Sequence, residues 1–412
     1  MTEQENLLLS QTGPGTLMGN LYRRYWLPAL LATELKEPGG PPVRVRLLSE
    51  KLLAFRNSEG ELSLIDEFCA HRGVSLWFGR NEEGGIRCPY HGWKYATNGQ
   101  CIEVPSESDD SGFSEKIQLT SYPLREQGGI LWAYLGPIEK IPEMPAYEWS
   151  TVPDSHRHIS KRLQACNSLQ AMEGGLDSFH SSFLHRMSVG EDPLLKRDPI
   201  SAALLKGDPH PQFIPMDSPA GLYITTRRNV EPDSYYWRVT HWLMPCFNLF
   251  PPYEGNPYGG HAWVPMDDHN SWTFSIDYRP DRPLTKEEVR AMEAGMGIHS
   301  ENIPNSFIPV ANASNDYLID RQAQKRKETF CGVIGIAEQD AAVQESMGRI
   351  SRRELENLVG TDNGIIMTRK KLMQAALGLE KGIEPPGIDS VSQSVRAYSR
   401  VISRDEKLKP EN

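Results

Sequence analysis

Between Pro42 and Pro137 the apolar positions come in short runs: V-R-V-R-L-L, K-L-L-A-F-R, L-S-L-I-D, I-R-C-P-Y and G-I-L-W-A-Y-L. They alternate with polar residues or stay apolar for a few positions only, and Gly, Asn, Asp and Ser clusters separate them. That pattern predicts an all-β module of short strands and turns. Ahead of it, a Gly13-Pro14-Gly15 turn leads into a short apolar-and-basic helix ending near Tyr25-Trp26. Pro137, Pro142, Pro145 and Pro153 then punctuate a linker, which puts a boundary near residue 145. Beyond it the periods lengthen. Residues 161–187 read as a helix, and 220–280 as several longer strands, among them L-Y-I-T-T-R-R-N-V, Y-Y-W-R-V-T-H-W-L-M and S-W-T-F-S-I-D-Y. Charged amphipathic segments at 284–296 and 337–380 read as helices. Helices enclosing an antiparallel sheet make an α+β domain, so the expected division is 1–145 followed by 146–412.

The totals change this picture little. A chain of 412 residues exceeds one core and suits two domains. The 44 basic and 54 acidic side chains leave a formal charge of −10, which disfavours nucleic acid and anionic membrane as partners. Six cysteines in so long a chain are not a disulfide scaffold, and a reducing, cytoplasmic setting fits them best. The opening Met1-Thr2-Glu3-Gln4-Glu5-Asn6 lacks the regions of a signal peptide, and no apolar run reaches membrane-spanning length. With no GxGxxG fingerprint, the chain is not expected to bind its own nicotinamide.

Two stretches carry chemistry. In C-A-H-R-G-V-S-L-W-F-G-R-N-E-E-G-G-I-R-C-P-Y-H, Cys69 and His71 leave one loop and Cys88 and His91 another. Two thiolates with two imidazoles are the ligands of a Rieske [2Fe–2S] centre, where each loop gives one sulfur and one nitrogen. The same four also suit a structural zinc, although zinc fingers usually pair Cys with Cys and His with His along the chain. The second stretch, around Glu173–His185, holds D-x-x-H-x-x-x-x-H. A mononuclear non-haem iron needs two His and one carboxylate with positions left open for O₂. His180 and His185 supply the imidazoles, but five residues apart they leave a common helical face, so a kink or bulge is expected between them. Asp177, three before His180, can orient that ligand's free N–H. The third ligand must come from far along the chain, and Asp316, Asp320, Glu338, Asp340, Glu345 and Asp362 all remain open. His156, His158 and His241 have no partner at ligand spacing and read as structural or surface residues.

The C-A-H-R-G and C-P-Y-H-G-W stretches, the D-x-x-H-x-x-x-x-H spacing and the opening G-P-G-T, M-G, R-R-Y-W series together resemble the Rieske non-haem iron aromatic ring-hydroxylating oxygenases. The phthalate dioxygenase-like oxygenase subunits are the nearest group. The resemblance implies a Rieske domain followed by a helix-grip catalytic domain. It also implies a Rieske [2Fe–2S] cluster on Cys69, His71, Cys88 and His91, and an Fe(II) on His180, His185 and, by likeness of E-Q-D-A-A-V-Q-E-S-M-G to the distal-ligand helix, Asp340. Asp177 would bridge His91 of one subunit to His180 of the next in a homotrimer or hexamer. Electrons would arrive from NAD(P)H through a separate flavin and iron–sulfur reductase. Asn167 matches a family Asn, while Ser168 departs from the Trp that commonly follows it.

Such a subunit is expected to act as the terminal oxygenase of a dioxygenase, converting a carboxylated aromatic ring and O₂ to a cis-dihydrodiol. A monooxygenase or O-demethylase acting on an aromatic acid is the alternative. A carboxylated ring needs a cation in an apolar pocket, and Arg238 is the candidate, against the plainer possibility of an Arg paired with a nearby acid. Related phthalate enzymes carry an Arg-Asp pair where this chain has Gly207-Asp208, which points toward a meta- or para-substituted benzoate, with Arg227 and Arg228 as compensating cations. An electron carrier without chemistry of its own and a zinc-stabilised binding protein are the remaining classes.

Overall fold

A computed structural model describes residues 1–185, 192–194, 211–230, 232–253 and 255–409. The chain divides into two compact units, Arg23–Pro142 and Met1–Tyr22 with Glu143–Asn412.

Arg23–Pro142 is built from three small antiparallel sheets. The first joins β1 (Leu27–Leu31), β10 (Ile130–Ala133) and β9 (Leu124–Gln127). The second is β2 (Val43–Leu47), β3 (Glu50–Arg56) and β4 (Leu62–Asp66), and the third runs β5 (Arg80–Glu82), β6 (Gly85–Arg87), β7 (Lys94–Ala96), β8 (Cys101–Glu103). The alternation of V-R-V-R-L survives in β2, whose later valine and leucine are buried while its arginines are exposed. One core packs Leu53, Phe55, Ile65, Leu76, Ile86 and Tyr95 together with Cys69 and Cys88. The predicted all-β module is therefore present.

The second unit centres on an eight-stranded antiparallel sheet. Its order is β11 (Arg157–Gln164), β17 (Asn270–Tyr278), β16 (Tyr258–Asp267), β15 (Phe247–Phe250), β14 (Ser234–Leu243), β13 (Gly221–Val230), β12 (Gln212–Ser218), with β18 (Tyr398–Ser403) also on β14. Helices Ser168–Leu176 and Asn363–Leu379 pack on its strands, and Ile336–Ser346 packs on the first of them. The α+β expectation holds.

Two expectations change. Residues 161–187 are not one helix: β11 pairs with β17 from Arg157↔Tyr278 to Gln164↔Ser271, and the helix starts only after Asn167, whose side chain accepts from Leu169 N as an N-cap. Charged residues disguised the strand. Lys161 is buried, its Nζ 4.4 Å from the ring centroids of both Trp272 and Phe307, so a lysine stands where alternation called for an apolar residue. The opening residues, expected in the first domain, pack instead with the second unit. Asn6 Nδ2 donates to Ser351 O at 2.9 Å and Arg353 Nη1 to Asn6 Oδ1 at 2.8 Å, both buried, and helix Leu17–Tyr22 lies on Asn363–Leu379.

Candidate metal centres

In the first unit, Cys69 and Cys88 head two loops that repeat one another's backbone. Cys69 N donates to Val74 O at 2.9 Å and Gly73 N to Cys69 O at 2.9 Å; Cys88 N donates to Trp93 O at 2.8 Å and Gly92 N to Cys88 O at 3.1 Å. Gly73 and Gly92 have φ of 71° and 77°, the left-handed region that a tight loop of this kind demands. Both thiols are buried, while both imidazoles of His71 and His91 are exposed with ring centroids 4.4 Å apart. His71 also stacks on Trp93 at 4.7 Å and 4°. No three of these four residues offer ligand atoms within 4.8 Å of one another. A single tetrahedral zinc at ~2.0–2.3 Å would bring every pair within ~4 Å. Sulfurs inside and nitrogens outside instead suit a two-iron cluster whose irons divide the ligands by type.

In the second unit, helix Ser168–Leu176 ends at Asp177, which turns extended and whose Oδ1 accepts from Phe179 N at 2.8 Å. A 3₁₀ turn, His180–Ser182, follows. This break is the expected kink, and it lets residues five apart converge: His180 Nε2 and His185 Nε2 are 3.1 Å apart. Asp340, in helix Ile336–Ser346, places Oδ1 3.2 Å from His185 Nε2 and 3.5 Å from His180 Nε2. Among the described residues, these three form the one group of His, Cys, Asp or Glu at metal-ligand spacing. Of the other carboxylates considered, Asp320 caps helix Arg321–Arg326, Glu345 accepts from Ala165 N and Tyr317 Oη, and Asp362 accepts from Val359 N.

The donor set asks for a cation. Gln339 Nε2 donates to Val333 O at 2.9 Å, so its Oε1 is the atom facing His185 Nδ1 at 2.8 Å and that nitrogen must carry the proton. His185 Nε2 is then a bare lone pair, directed at another imidazole and a carboxylate. Burial opposes charge on His180, yet Asp177 (Nδ1 to Oδ2, 3.6 Å) and Asp340 outweigh it and raise its pKa to about 9. Burial likewise works against the Asp340 charge, and the facing histidines still hold it down to about 2.

Gly174 and Gly175 permit this assembly. A Cβ on Gly174 would lie 2.1 Å from Gln344 Nε2, on the helix that carries Asp340, and one on Gly175 would lie 2.4 Å from Trp263 Cη2.

Comparison with known proteins fits both centres. Residues 25–123 match the Rieske [2Fe-2S] domain and residues 133–410 the LigXa C-terminal domain like family. The 3-chlorobenzoate-3,4-dioxygenase oxygenase subunit of Comamonas testosteroni is 36% identical over 402 residues, 95% of this chain and 92% of that protein. The phthalate 4,5-dioxygenase oxygenase subunit of Pseudomonas putida is 34% identical over 415 residues, 98% of this chain and 93% of that one. This chain belongs to the phthalate dioxygenase-like Rieske oxygenases. A solved structure of a Pseudomonas putida CBB5 NdmA mutant with theobromine shares the fold at a TM-score of 0.61, with 19% identity, 95% of this chain and 99% of that one covered. As a Rieske oxygenase subunit the chain is an oxidoreductase with a Rieske [2Fe–2S] cluster and a mononuclear iron. No helix of the described residues is long and apolar enough to cross a membrane.

The oxygenase's cavity opens beside the triad, at about 200 Å³ among described residues. Arg238 lines it with Phe250, Tyr253 and Trp263. Its Nη2 donates to Pro251 O at 2.7 Å, and its guanidinium lies 4.7 Å from the Tyr253 ring centroid. No described Asp or Glu forms an ion pair with it, and Tyr236 Oη also accepts from its Nη1 at 3.4 Å. Arg227 stacks on Tyr235 at 4.3 Å and Arg228 is buried; neither is among the described lining residues. Gly207-Asp208 lie outside the described residues. Asn167 is a helix cap whose Nδ2 bonds Ser10 O and Asp268 O. His156 bonds Arg279 O and His158 rests on His299, while His241 is buried against Tyr223. Sequence reading missed His261, which lines the cavity and which burial pushes down to about 3, and Gln339. Neither carried a spacing signal, since His261 is one inward position of β16.

Proposed function

We propose that this subunit is the terminal oxygenase of a dioxygenase acting on a single-ring aromatic carboxylate, a substituted benzoate or a phthalate isomer, to give a cis-dihydrodiol. The observation that carries this reading is the Arg238 guanidinium, free of any described carboxylate, in the same cavity as His180, His185 and Asp340. A desolvated guanidinium without a counter-ion favours an anionic ligand, and its planar fork matches a carboxylate. The relatives named for 3-chlorobenzoate and phthalate support that ligand class.

In this reading Cys69 and Cys88 hold one cluster iron and His71 and His91 the other, and His180, His185 and Asp340 hold the mononuclear iron. The bound groups supply single electrons and a site for O₂ reduction. Arg238 fixes the carboxylate, Phe250 and Trp263 pack the ring and exclude water, and Asp177 holds the His180 Nδ1 proton. With His91 of an adjacent copy brought to the same carboxylate, Asp177 would join the two centres, so the working form is a homo-oligomer, a trimer or hexamer, in the cytoplasm. Electrons come from NAD(P)H through a flavin and iron–sulfur reductase.

The test is turnover of ortho-, meta- and para-substituted benzoates with a reductase under ¹⁸O₂. Both labelled atoms in one diol are expected. One atom, with loss of an O-alkyl group, would favour the O-demethylase instead. Arg238→Gln should raise KM for the acid about 30-fold or more, the ~2–3 kcal/mol of a charge-assisted hydrogen bond. An unchanged KM for the acid in Arg238→Gln would remove the anion-anchoring role, and an equal loss on uncharged aromatics would mark a general packing defect instead.

A further inference from the structure

We infer that Gln339 is a positioning residue for the mononuclear iron: it fixes the tautomer and ring plane of His185 through an uncharged side chain. The inference rests on the assignment of His180, His185 and Asp340 as the metal ligands.

Gln339 is completely buried and sits one residue before Asp340 in helix Ile336–Ser346. Its amide is held at both ends, by Val333 O (2.9 Å) and by His185 Nδ1 (2.8 Å). Reversing the amide would put two donors against one another at the histidine and two acceptors against one another at Val333, so a single orientation is satisfied. His185 is therefore protonated at Nδ1 and offers Nε2 as a lone pair before any metal arrives. A ligating His commonly leans on a carboxylate, a backbone carbonyl or water. Here the two histidines of one site differ: His180 faces the Asp177 carboxylate at 3.6 Å, and His185 faces an amide. Because Gln339 and Asp340 share a helical turn, one element supplies a ligand and the support of another. Displacement of that turn would disturb two of the three metal bonds together.

The experiment uses cluster-loaded, full-length protein stripped of mononuclear iron by a chelator and titrated anaerobically with Co(II) and Fe(II), followed by calorimetry and by the Co(II) d–d spectrum. Gln339→Leu should weaken both metals about 10–100-fold and alter the Co(II) spectrum. Its cluster absorbance should stay that of wild type, and the apo-protein melting temperature records separately the cost of the two lost buried hydrogen bonds. Gln339→Glu, which keeps an acceptor for His185 Nδ1, should recover most of the affinity. Unchanged affinity in Gln339→Leu overturns the inference. So does equal loss in both variants. Failure of the ligand assignment looks different: wild type would take up no metal at this site, or His185→Ala would bind as well as wild type.

Discussion

The two metal centres are assembled in opposite ways. All four cluster residues fall between Cys69 and His91, on two loops whose backbone hydrogen bonds duplicate each other. Turn chemistry close in sequence makes that site, and Gly73 serves the backbone alone, since nothing lies within 4 Å of a Cβ there. The iron site joins the end of one helix to a carboxylate about 150 residues downstream, and its glycines serve space, letting helix Ile336–Ser346 and Trp263 close on Gly174-Gly175. One centre depends on local conformation and the other on tertiary approach. Losses at one should therefore spare the other.

The largest test is reciprocal ligand removal. Asp340→Ala should take mononuclear metal affinity down by more than the ~10–100-fold that loss of an outer partner costs, and abolish turnover, with sulfide content and visible absorbance intact. Cys88→Ala should lose the colour and sulfide while the second unit still titrates with Co(II). Loss of both centres in either variant would end the claim of independent assembly.

The same contrast decides what could be read from the chain. The two matching Cys–His loops and the convergence of His180 with His185 are legible because turn residues and a short spacing announce them. Asp340 was one of six carboxylates until family likeness selected it, because the residues alone do not reveal which helix will dock against Gly174. Gln339 and His261 were invisible for the same reason. β11 was misread because Lys161 lies inside, over aromatic rings. The sheet itself was plain, since its strands between 220 and 280 are long and mostly apolar.

Acid should separate the units next. His241 and His261 are buried in the second unit, and burial lowers their pKa values to about 4 and about 3. The unfolded chain takes up those protons below ~6.5, and the native one does not, so stability falls as pH drops from ~6.5 toward 4. Each histidine contributes up to ~1.4 kcal/mol per pH unit across that window. The first unit holds only His71 and His91, both exposed, and the pKa of His91 is lowered by desolvation and by the neighbouring His71 and Arg72 charges. Calorimetry between pH 7.5 and 5 should show the second unit's transition moving down first; coincident shifts would contradict this.

Glycine replacement is a smaller probe of the same difference. Gly174→Ala forces the bonded, buried Gln344 amide to move and should cost ~1–3 kcal/mol in urea unfolding, with weaker Co(II) binding. Gly73→Ala should cost ~1–2 kcal/mol through its positive φ alone. Asn at 73, which tolerates that conformation, should recover part of it. No residue with a side chain should recover 174. Equal rescue at both positions would erase the distinction between glycines kept for conformation and glycines kept for space.

The smallest effect concerns tuning. Ala70 N donates to Tyr95 Oη at 3.1 Å, which leaves the hydroxyl proton for Cys69 Sγ, also at 3.1 Å. Negative charge on the cluster sulfurs grows on reduction, so this donor favours the reduced state. Tyr95→Phe keeps the ring in the core and removes both hydrogen bonds of the hydroxyl, the one to Cys69 Sγ and the one from Ala70 N. At ~1 kcal/mol for the lost bond to Cys69 Sγ, the reduction potential should fall by about 40 mV, with cluster content and Co(II) affinity at the second centre unchanged. An unchanged potential would mean that the hydroxyl proton points away from Cys69, and that the local loops alone set the cluster's electronics.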